Sequence, residues 1–417
     1  MCLAYCLRIC EAVERAGAFM AKNSGKKTKR EKSISTRAIH AGEARRKYAD
    51  SLTTPIFQTS TYTYKDVADV EDFTLRHKQR FEYGRYGNPT TTVAENRLAD
   101  LEAAEGCIAF ASGMSAITTT VLTFVEPGDN IVVTDDCYRR TRKFCKVYLK
   151  QISVESRFVA FGDYNAMAKA IDAKTRLILS ESPTNPYLKV LDFAKLKKIA
   201  VKKNVLTLID STFSTPVNCR PLELGADLVL HSATKFLAGH NDILAGAVLG
   251  RTELLDKIKE LHKTLGGVID PHCAFLLVRG LKTFPLRLAK QNESALQIAR
   301  FLENHPRVDK VYYPFLNSHS YYRLAKKQMT GGGGIVSFKI KGNLASSKRF
   351  LNALKLCYIG PSLGGVETLI THPAIVNFYE YTRKQRYQIG ITDTLFRLSV
   401  GIENVEDIIA DLERGLG

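Results

Sequence analysis

The sequence predicts an α/β fold with a mostly parallel central sheet, followed by a smaller C-terminal α+β domain. Two observations carry this prediction. Between residues 91 and 285, helical stretches alternate with short, unbroken apolar runs, which is typical of buried parallel strands with helices on both faces. From 286 to 417, a helical pattern at Leu296 to Leu302 mixes with strand-like runs at 335–338 and 395–400.

The segment before the α/β region has a different character. Residues 34–90 are polar and rich in Thr, Tyr and Gly, without a clear period, and predict an extended N-terminal arm with one short helix near Val67 to His77. Such an arm can grip a partner subunit. Residues 1–33 are basic and predict a disordered tail, with part of an organelle-targeting peptide as the alternative.

Composition narrows the function classes. The 417 residues are 45% apolar and 24% charged, and no apolar run approaches the length of a membrane span, so we expect no membrane partner. The net charge of +18 is dispersed beyond the tail, which fits anionic small molecules better than nucleic acid.

The nine cysteines form no C-x-x-C pair, and no histidine lies near Cys2, Cys6 and Cys10, so we expect no metal site. Scattered thiols favour a reducing compartment, the cytoplasm, with the plastid as the alternative.

Each of five apolar runs is followed by polar, glycine or aromatic residues. In open parallel sheets, ligands bind beyond the carboxyl ends of the strands, so five such ends indicate an active-site crevice. The segments that follow the runs are 111–114, 134–138, 180–186, 210 and 231–235.

Lys235 is the first candidate for chemistry at this edge. A lone lysine is ordinarily a solvated charge, but this one follows a strand and has Ser232 and Thr234 beside it. A desolvated amine can be partly neutral and can attack an aldehyde. The two hydroxyls, with the backbone amides of Ser112-Gly113-Met114 at a helix N-terminus, could hold a phosphate.

Asp210 and Tyr138 complete a possible cofactor site. A carboxylate at the end of a buried strand needs a cationic partner, which a protonated pyridine nitrogen would provide. The alternative for Asp210 is a helix cap, since Ser211 and Thr212 follow it. Tyr138 could stack on the cofactor ring.

Five motifs resemble those of the Cys/Met-metabolism family of pyridoxal-phosphate enzymes, in order from about Ser33 to the C-terminus. The resemblance implies an aspartate-aminotransferase-like (type I) fold, pyridoxal 5'-phosphate held by Lys235, and a homotetramer built as a dimer of dimers. It also implies that Tyr83 and Arg85 reach the cofactor phosphate of the neighbouring subunit. The motifs are Tyr83 to Thr90, Ala111 to Met114, Glu181 to Pro186, Ser232 to Phe236 and Phe396 to Glu403.

The same resemblance assigns substrate-side residues. Arg397 matches the arginine that binds the substrate α-carboxylate, a task suited to its planar guanidinium. Asn185 and Ser362 match its neighbours, and Glu367 matches an acid of the synthases and γ-lyases, where β-lyases tend to have an aromatic residue.

Within the family, segments 136–142 and 235–242 resemble the plant-type γ-synthases, although these often have Lys where this chain has Arg140. The resemblance implies γ-replacement, in which cysteine displaces the leaving group of a homoserine ester, expected to be O-phosphohomoserine, to give cystathionine for methionine biosynthesis. Lys235, Tyr138 and Tyr83 are the expected catalytic residues, and Arg140 and Arg142 the expected contacts of the anionic tail. The alternative is a γ-lyase acting on cystathionine or methionine.

Overall fold

A computed structural model describes residues 32–78 and 80–417, and its larger sheet has seven strands. Their spatial order is β1-β7-β6-β5-β4-β2-β3, and all neighbours are parallel except at β7, which runs antiparallel to both β1 and β6. The strands are β1 Gly106–Phe110, β2 Asn130–Thr134, β3 Glu155–Val159, β4 Thr175–Glu181, β5 Leu206–Asp210, β6 Leu228–His231 and β7 Gly246–Gly250.

The five apolar runs of the sequence all form strands of this sheet, which confirms the predicted mostly parallel α/β architecture. Two further strands were not predicted. β3 lies at the sheet edge with a largely polar, partly exposed sequence, so it lacks an apolar run. β7 is short, begins and ends with glycine, and enters the sheet antiparallel, so it does not follow the strand–helix alternation.

Helices cover both faces of the sheet. A continuous helical segment includes a π-helical turn at Phe144–Tyr148, between Arg139–Lys143 and Leu149–Gln151. The other helices up to the end of the large sheet are Ile34–His40, Val67–Thr74, Pro89–Glu102, Gly113–Thr123, Tyr164–Ala170, Phe193–Lys203, Thr215–Asn218 and Thr252–Leu265.

A second, five-stranded sheet follows in the C-terminal part, with the order β10-β11-β12-β9-β8. Its strands are β8 Val308–Tyr312, β9 Ile335–Ile340, β10 Tyr358–Ile359, β11 Leu369–Thr371 and β12 Leu395–Ser399. The helices around it are Tyr322–Gln328, Leu344–Ala353, Pro373–Val376, Arg383–Gln388 and Val405–Leu416. The buried rings of Phe338, Phe350 and Phe396 pack together at its centre, with centroids 4.8–5.9 Å apart.

One long helix, Pro271–Asn304, connects the two sheets. Its first half buries Leu277 and Leu281 in the core against the large sheet, and its second half buries Ile298 and Leu302 in the core of the second sheet. The helix continues through residue 285, where the sequence placed a domain boundary. Because one helix supplies both cores, it fixes the position of the second sheet relative to the crevice.

The segment before the large sheet contains little regular structure beyond the helices Ile34–His40 and Val67–Thr74. The fully buried Arg97 holds the start of this segment in place. It donates to the carbonyls of Ala41 and Ile39 and forms an ion pair with Glu43 at 2.9 Å. Within residues 32–78 and 80–417, no helix has the length and apolarity to cross a bilayer. The predicted tail up to residue 31, including Cys2, Cys6 and Cys10, lies outside the described residues.

Candidate active site

The site lies at the carboxyl edge of the parallel strands. β1 and β6 both run antiparallel to β7, so β1 shares the direction of β6 and of the other parallel strands. The segments that follow β1, β2, β4, β5 and β6 therefore meet at one edge, as the sequence predicts.

Lys235 lies on the turn after β6, partly buried, and its Nζ donates to Ser362 Oγ at 2.9 Å. Burial, and then the nearby charge of Arg397, lower the pKa of the Lys235 amine to about 8. The lowered pKa increases the fraction of this amine that is unprotonated near neutral pH, as action as a nucleophile or a proton acceptor requires.

An anion cradle lies beside Lys235. Ser112 caps the helix Gly113–Thr123, and the first-turn N–H groups of Gly113 and Met114 have no acceptor within the helix. A Cβ atom on Gly113 would lie 2.9 Å from Cβ of Ser232, so only glycine leaves room between this helix end and the serine. The free N–H groups and the Ser232 hydroxyl fit a phosphate group.

Thr234, which the sequence analysis assigned to the phosphate together with Ser232, lies on the same turn as Lys235. Its hydroxyl donates to the Ala245 carbonyl at 3.1 Å and accepts from the Ala245 N–H at 2.8 Å. These bonds close the loop between β6 and β7, so Thr234 shapes the turn that presents Lys235.

Asp210 and Glu181 lie side by side at the ends of β5 and β4, where they are register partners. The Thr212 N–H and hydroxyl both donate to Oδ1 of Asp210. The next helix begins at Thr215, with Ser214 before it, so Asp210 is not the cap of that helix. Burial raises the pKa of Asp210, and burial together with the Asp210 charge raises that of Glu181. A protonated pyridine nitrogen would relieve this uncompensated charge, so the pair fits the cofactor ring.

Arg397, on β12, forms the opposite side of the site and is buried. Its guanidinium donates to Asn185 Oδ1 at 3.3 Å, to the Ser362 carbonyl at 3.1 Å and to the Thr371 hydroxyl at 3.3 Å. Burial lowers the pKa of Arg397 to about 10, and the Glu181 charge offsets this only in part. A buried guanidinium whose charge is only partly compensated is suited to a substrate carboxylate.

Tyr138 lies beside Glu181, at the start of the helix that follows β2. The Tyr138 N–H donates to Glu181 Oε2 at 2.9 Å, and its ring is exposed at the start of the helix Arg139–Lys143. Arg140 is exposed on this helix, whereas Arg142 donates to the Asp135 carbonyl at 2.6 Å and lies over the Phe158 ring. Of the two arginines, only Arg140 has a guanidinium that is free of such contacts in the described structure.

Tyr83 and Arg85 contact each other and residues outside the group around Lys235. Arg85 donates to the Lys263 carbonyl at 2.6 Å and lies over the rings of Tyr83 and Tyr86. The Tyr83 ring is 40% exposed. One chain thus brings together Lys235, Ser362, Arg397 and Asn185, but none of the contacts of its described residues links Tyr83 or Arg85 to them.

Three residues of the site escaped the sequence analysis as functional candidates. Glu181 is the first residue of the motif Glu181 to Pro186, and an acid two residues after an apolar run was its signal. The sequence indicates Thr212 only as part of a helix start. In the structure its hydroxyl donates to Asp210 Oδ1 and accepts from the Ser232 N–H at 2.8 Å. Thr371 gave no sequence signal, because its position opposite Arg397 depends on the pairing of β11 with β12.

Comparisons with known proteins agree with this geometry. Residues 35–417 match the family model described as Cys/Met metabolism PLP-dependent enzyme. The chain is 45% identical over 382 residues to chloroplastic cystathionine gamma-synthase 1 of Nicotiana tabacum, covering 91% of this chain and 71% of the relative. It is also 45% identical over 386 residues to the L-methionine gamma-lyase of Fusobacterium nucleatum, covering 92% of this chain and 98% of that enzyme. The crystal structure of metB from Corynebacterium glutamicum matches with a TM-score of 0.86 and 34% identity, covering 92% of this chain and 98% of that one.

Proposed function

The chain belongs to the Cys/Met-metabolism family of enzymes that use pyridoxal 5'-phosphate, and on that premise we propose that it is a cystathionine γ-synthase. In the proposed reaction, the thiol of cysteine replaces the leaving group at Cγ of a homoserine ester, expected to be O-phosphohomoserine. The resulting thioether is cystathionine, an intermediate on the way to methionine. Two plant γ-synthases among the relatives, at 45% and 44% identity, support this choice.

The observation that carries the proposal is the double role of Ser362. Its hydroxyl accepts from the Lys235 amine, and its carbonyl accepts from the Arg397 guanidinium. A substrate whose α-carboxylate binds Arg397 therefore has its Cα beside the Lys235 amine. This arrangement suits an enzyme that removes a proton from Cα of an amino acid.

Pyridoxal phosphate, when bound, serves as an electron sink for negative charge at the substrate Cα. The residues around it perform the positioning and the proton transfers. Arg397 and Asn185 bind and orient the α-carboxylate, and Lys235 accepts the Cα proton and then assists the loss of a Cβ proton. Asp210 would hold a positive charge on the ring nitrogen, Tyr138 would cover the ring face and relay a proton, and the cradle of Gly113, Met114 and Ser232 would hold the phosphate.

Arg140 supports O-phosphohomoserine as the ester. It is exposed two residues after Tyr138, in a helix whose N-terminal end also favours anions. A phosphate carries more charge than the tail of a succinyl ester and offers three acceptor oxygens, whereas an acetyl ester is neutral. We therefore propose that Arg140 selects the ester, while Arg142 supports the loop through Asp135.

The test compares kcat/KM for O-phospho-, O-succinyl- and O-acetylhomoserine with cysteine at low salt, with the products identified by mass spectrometry. We expect the phosphate ester to be the best substrate. Arg140→Ala should lower its kcat/KM by about tenfold, the cost of one charged contact at a partly solvated site. Arg142→Ala serves as the matched control, with a smaller effect. A kcat/KM for the phosphate ester no higher than that for the acetyl ester would contradict the proposed selection.

A γ-lyase is the second candidate, because the methionine γ-lyase of Fusobacterium nucleatum is as similar to this chain as the tobacco synthase is. The two activities share the proton transfers at Cα and Cβ and differ in whether a thiol adds at Cγ. Incubation with cystathionine or methionine alone, followed by measurement of released 2-oxobutanoate and ammonia, distinguishes them. Release faster than cystathionine synthesis would favour the lyase.

We further propose that the enzyme is a homotetramer, with Tyr83 and Arg85 of one subunit at the cofactor phosphate of its neighbour. The contacts of Arg85 with Lys263 rather than with Lys235 and the exposure of the Tyr83 ring support a site completed by a second copy. Light scattering after size-exclusion chromatography tests the assembly.

For the compartment, we propose the cytoplasm, with the plastid as the alternative suggested by the chloroplastic relatives. The location of a C-terminal fluorescent fusion in cells tests this proposal.

A further inference from the structure

The turn that carries Lys235 is bound by a cation from a different element. Arg287 lies in the middle of the helix Pro271–Asn304 and is only 5% exposed. Its guanidinium donates to the Phe236 carbonyl at 2.8 Å and to the Leu237 carbonyl at 3.2 Å, and these two residues follow Lys235 directly. The backbone next to the amine of the proposed chemistry is therefore fastened to the long helix.

The two carbonyls depend on this guanidinium. In the described part of the chain, no backbone N–H donates to the carbonyl of Phe236 or of Leu237, and both residues are buried. A buried carbonyl that lacks a hydrogen bond is costly. Loss of the Arg287 side chain would leave both acceptors unsatisfied, so the turn would have to change its conformation or admit water.

The planar shape of the guanidinium suits this task. Besides the two turn carbonyls, Arg287 donates to the Gly280 carbonyl of its own helix at 2.8 Å, and its Nε donates to the Thr283 hydroxyl at 3.2 Å. These bonds orient the group from the helix side. An ammonium group has no such fixed fork of donors, so a lysine here would keep the charge and lose part of the bonding.

Two glycines allow the helix, the guanidinium and the turn to lie this close. A Cβ atom on Gly280 would lie 2.3 Å from the Ala238 carbonyl oxygen, and one on Gly239 would lie 1.9 Å from Nη1 of Arg287. Gly239 also has a φ of 75°, in the left-handed region that favours glycine. A side chain at either position would displace the turn or the guanidinium.

The charge of Arg287 is not compensated. Burial alone lowers the pKa of Arg287 to about 10, and no nearby carboxylate offsets this in the part of the chain that the structure describes. A buried cation costs stability, and an apolar side chain often fills such a space as well or better. A charge placed here at this cost indicates a role in setting the geometry of the turn.

We propose that Arg287 is a positioning residue that fixes the turn after Lys235 and thereby holds the Lys235 amine beside Ser362, where its Nζ donates to Oγ at 2.9 Å. The proposal rests on the proposed role of Lys235. Arg287 acts through the backbone of the turn and not through the reacting groups. If the turn moves, the amine leaves its desolvated place, so its affinity for protons and its reaction geometry both change.

The first measurement is the pH at which Lys235 becomes reactive in the cofactor-free protein. Acetic anhydride acylates neutral amines, so the labelling rate of Lys235, read by peptide mass spectrometry, should have a midpoint of about 8 in the wild type. Arg287→Met removes the bonds and the charge, and the midpoint should rise by about one pH unit toward that of a solvated lysine. Arg287→Lys keeps the charge and loses the fork, and should give an intermediate midpoint.

Two variants separate position from charge. Loss of a nearby positive charge would by itself raise the midpoint, but Arg287→Lys retains that charge, so an unchanged midpoint in this variant would overturn the proposal. Gly280→Ala keeps Arg287 and presses on the turn, and it should also raise the midpoint. A wild-type midpoint there would show that displacement of the turn does not affect the amine, which also contradicts the proposal. Both variants remain decisive if Arg287→Met does not fold.

Leu302→Ala is the control for a general loss of stability. Leu302 is fully buried on the same helix but packs in the core of the second sheet. This variant should therefore lower the melting temperature and leave the Lys235 midpoint unchanged. An equal shift of the midpoint in Leu302→Ala would show a nonspecific effect and would overturn the proposal. Calorimetry of each variant gives the folded fraction at the labelling temperature.

The second measurement is the split between kcat and KM in the enzyme with its cofactor. Arg287→Lys should lower kcat by about tenfold and leave the KM of the homoserine ester nearly unchanged, because the α-carboxylate binds Arg397 on another element. A higher KM with an unchanged kcat would contradict the proposal.

The proposed function can fail separately. If Lys235→Ala retains the visible absorbance of the lysine-bound cofactor, the proposed role of Lys235 is wrong. The midpoints measured in the cofactor-free protein still decide whether Arg287 holds this amine in place.

Discussion

The two sides of the site have ionisable groups of opposite sign, and none of these groups forms a close ion pair in the described part of the chain. At the ends of β4 and β5, burial raises the pKa values of Glu181 and Asp210, and the two carboxyls are register partners. On the opposite side, burial lowers the pKa values of Lys235 and Arg397, to about 8 and about 10. In each case desolvation opposes the charged form, and the protein supplies too few opposite charges to offset it.

The contrast indicates what each side binds. The acidic side is suited to the cation of a protonated ring, and the basic side to the carboxylate of an amino acid. A stable protein without ligands would place these opposite charges in contact with each other. Their separation costs stability and is typical of binding sites, where strongly perturbed pKa values concentrate.

Loss of Lys235 should have the largest effect, since this residue both holds the cofactor and moves protons. Lys235→Ala should remove the visible absorbance of the lysine-bound cofactor and lower kcat by about a thousandfold or more. Lys348→Ala, an exposed lysine on the helix Leu344–Ala353, is the control. Turnover by Lys235→Ala at the wild-type rate would show that another group performs these steps.

The acidic side is tested by Asp210→Asn, which keeps the shape of the side chain and removes its charge. We expect the cofactor to stay bound, while exchange of the substrate Cα proton slows by about a thousandfold, because the ring nitrogen loses its counter-charge. Proton exchange followed by NMR in deuterium oxide measures this, with the exposed Asp256→Asn as the control. Undiminished exchange would show that Asp210 does not support the ring charge.

The basic side is tested by Arg397→Ala. Its kcat/KM should fall by about a hundredfold for every amino-acid substrate, within the ~2–5 kcal/mol cost of removing one partner of a buried charged pair. The loss should be similar for all three homoserine esters, because they share the α-carboxylate. Arg300→Ala, exposed on the helix Pro271–Asn304, is the control. A loss confined to one ester would assign Arg397 to the ester tail instead.

The two sides also differ in how far the sequence predicted them. The acidic side and Lys235 follow apolar runs directly, so local patterns indicated Asp210, Ser232 and Lys235 without knowledge of the fold. Large parts of the sheet were found in the same way, except β3 and β7, which lack the alternating pattern.

Arg397 depends on contacts between distant parts of the chain, and this residue, Asn185 and Ser362 came from family motifs. The Arg397 bonds to Asn185 and Thr371 span 212 and 26 residues. No periodicity or spacing in the sequence indicates such contacts. The role of Thr371 therefore required the fold.

The smallest predicted effect concerns the link between Lys235 and Arg397. Burial is the larger cause of the lowered Lys235 pKa, and the Arg397 charge is the smaller one. In the cofactor-free protein, the rate at which an amine-selective reagent labels Lys235 should rise with pH with a midpoint of about 8, because only the neutral amine reacts. Removal of the positive charge in Arg397→Met makes protonation of Lys235 easier, so the midpoint should move to higher pH. Since burial persists, the midpoint should stay below 10.5, the ordinary lysine value.

Peptide mass spectrometry of the labelled protein provides the measurement, with Arg300→Met as the control. A midpoint that does not move to higher pH in Arg397→Met would show that the two cations do not interact directly, and a wild-type midpoint near 10.5 would show that Lys235 is solvated.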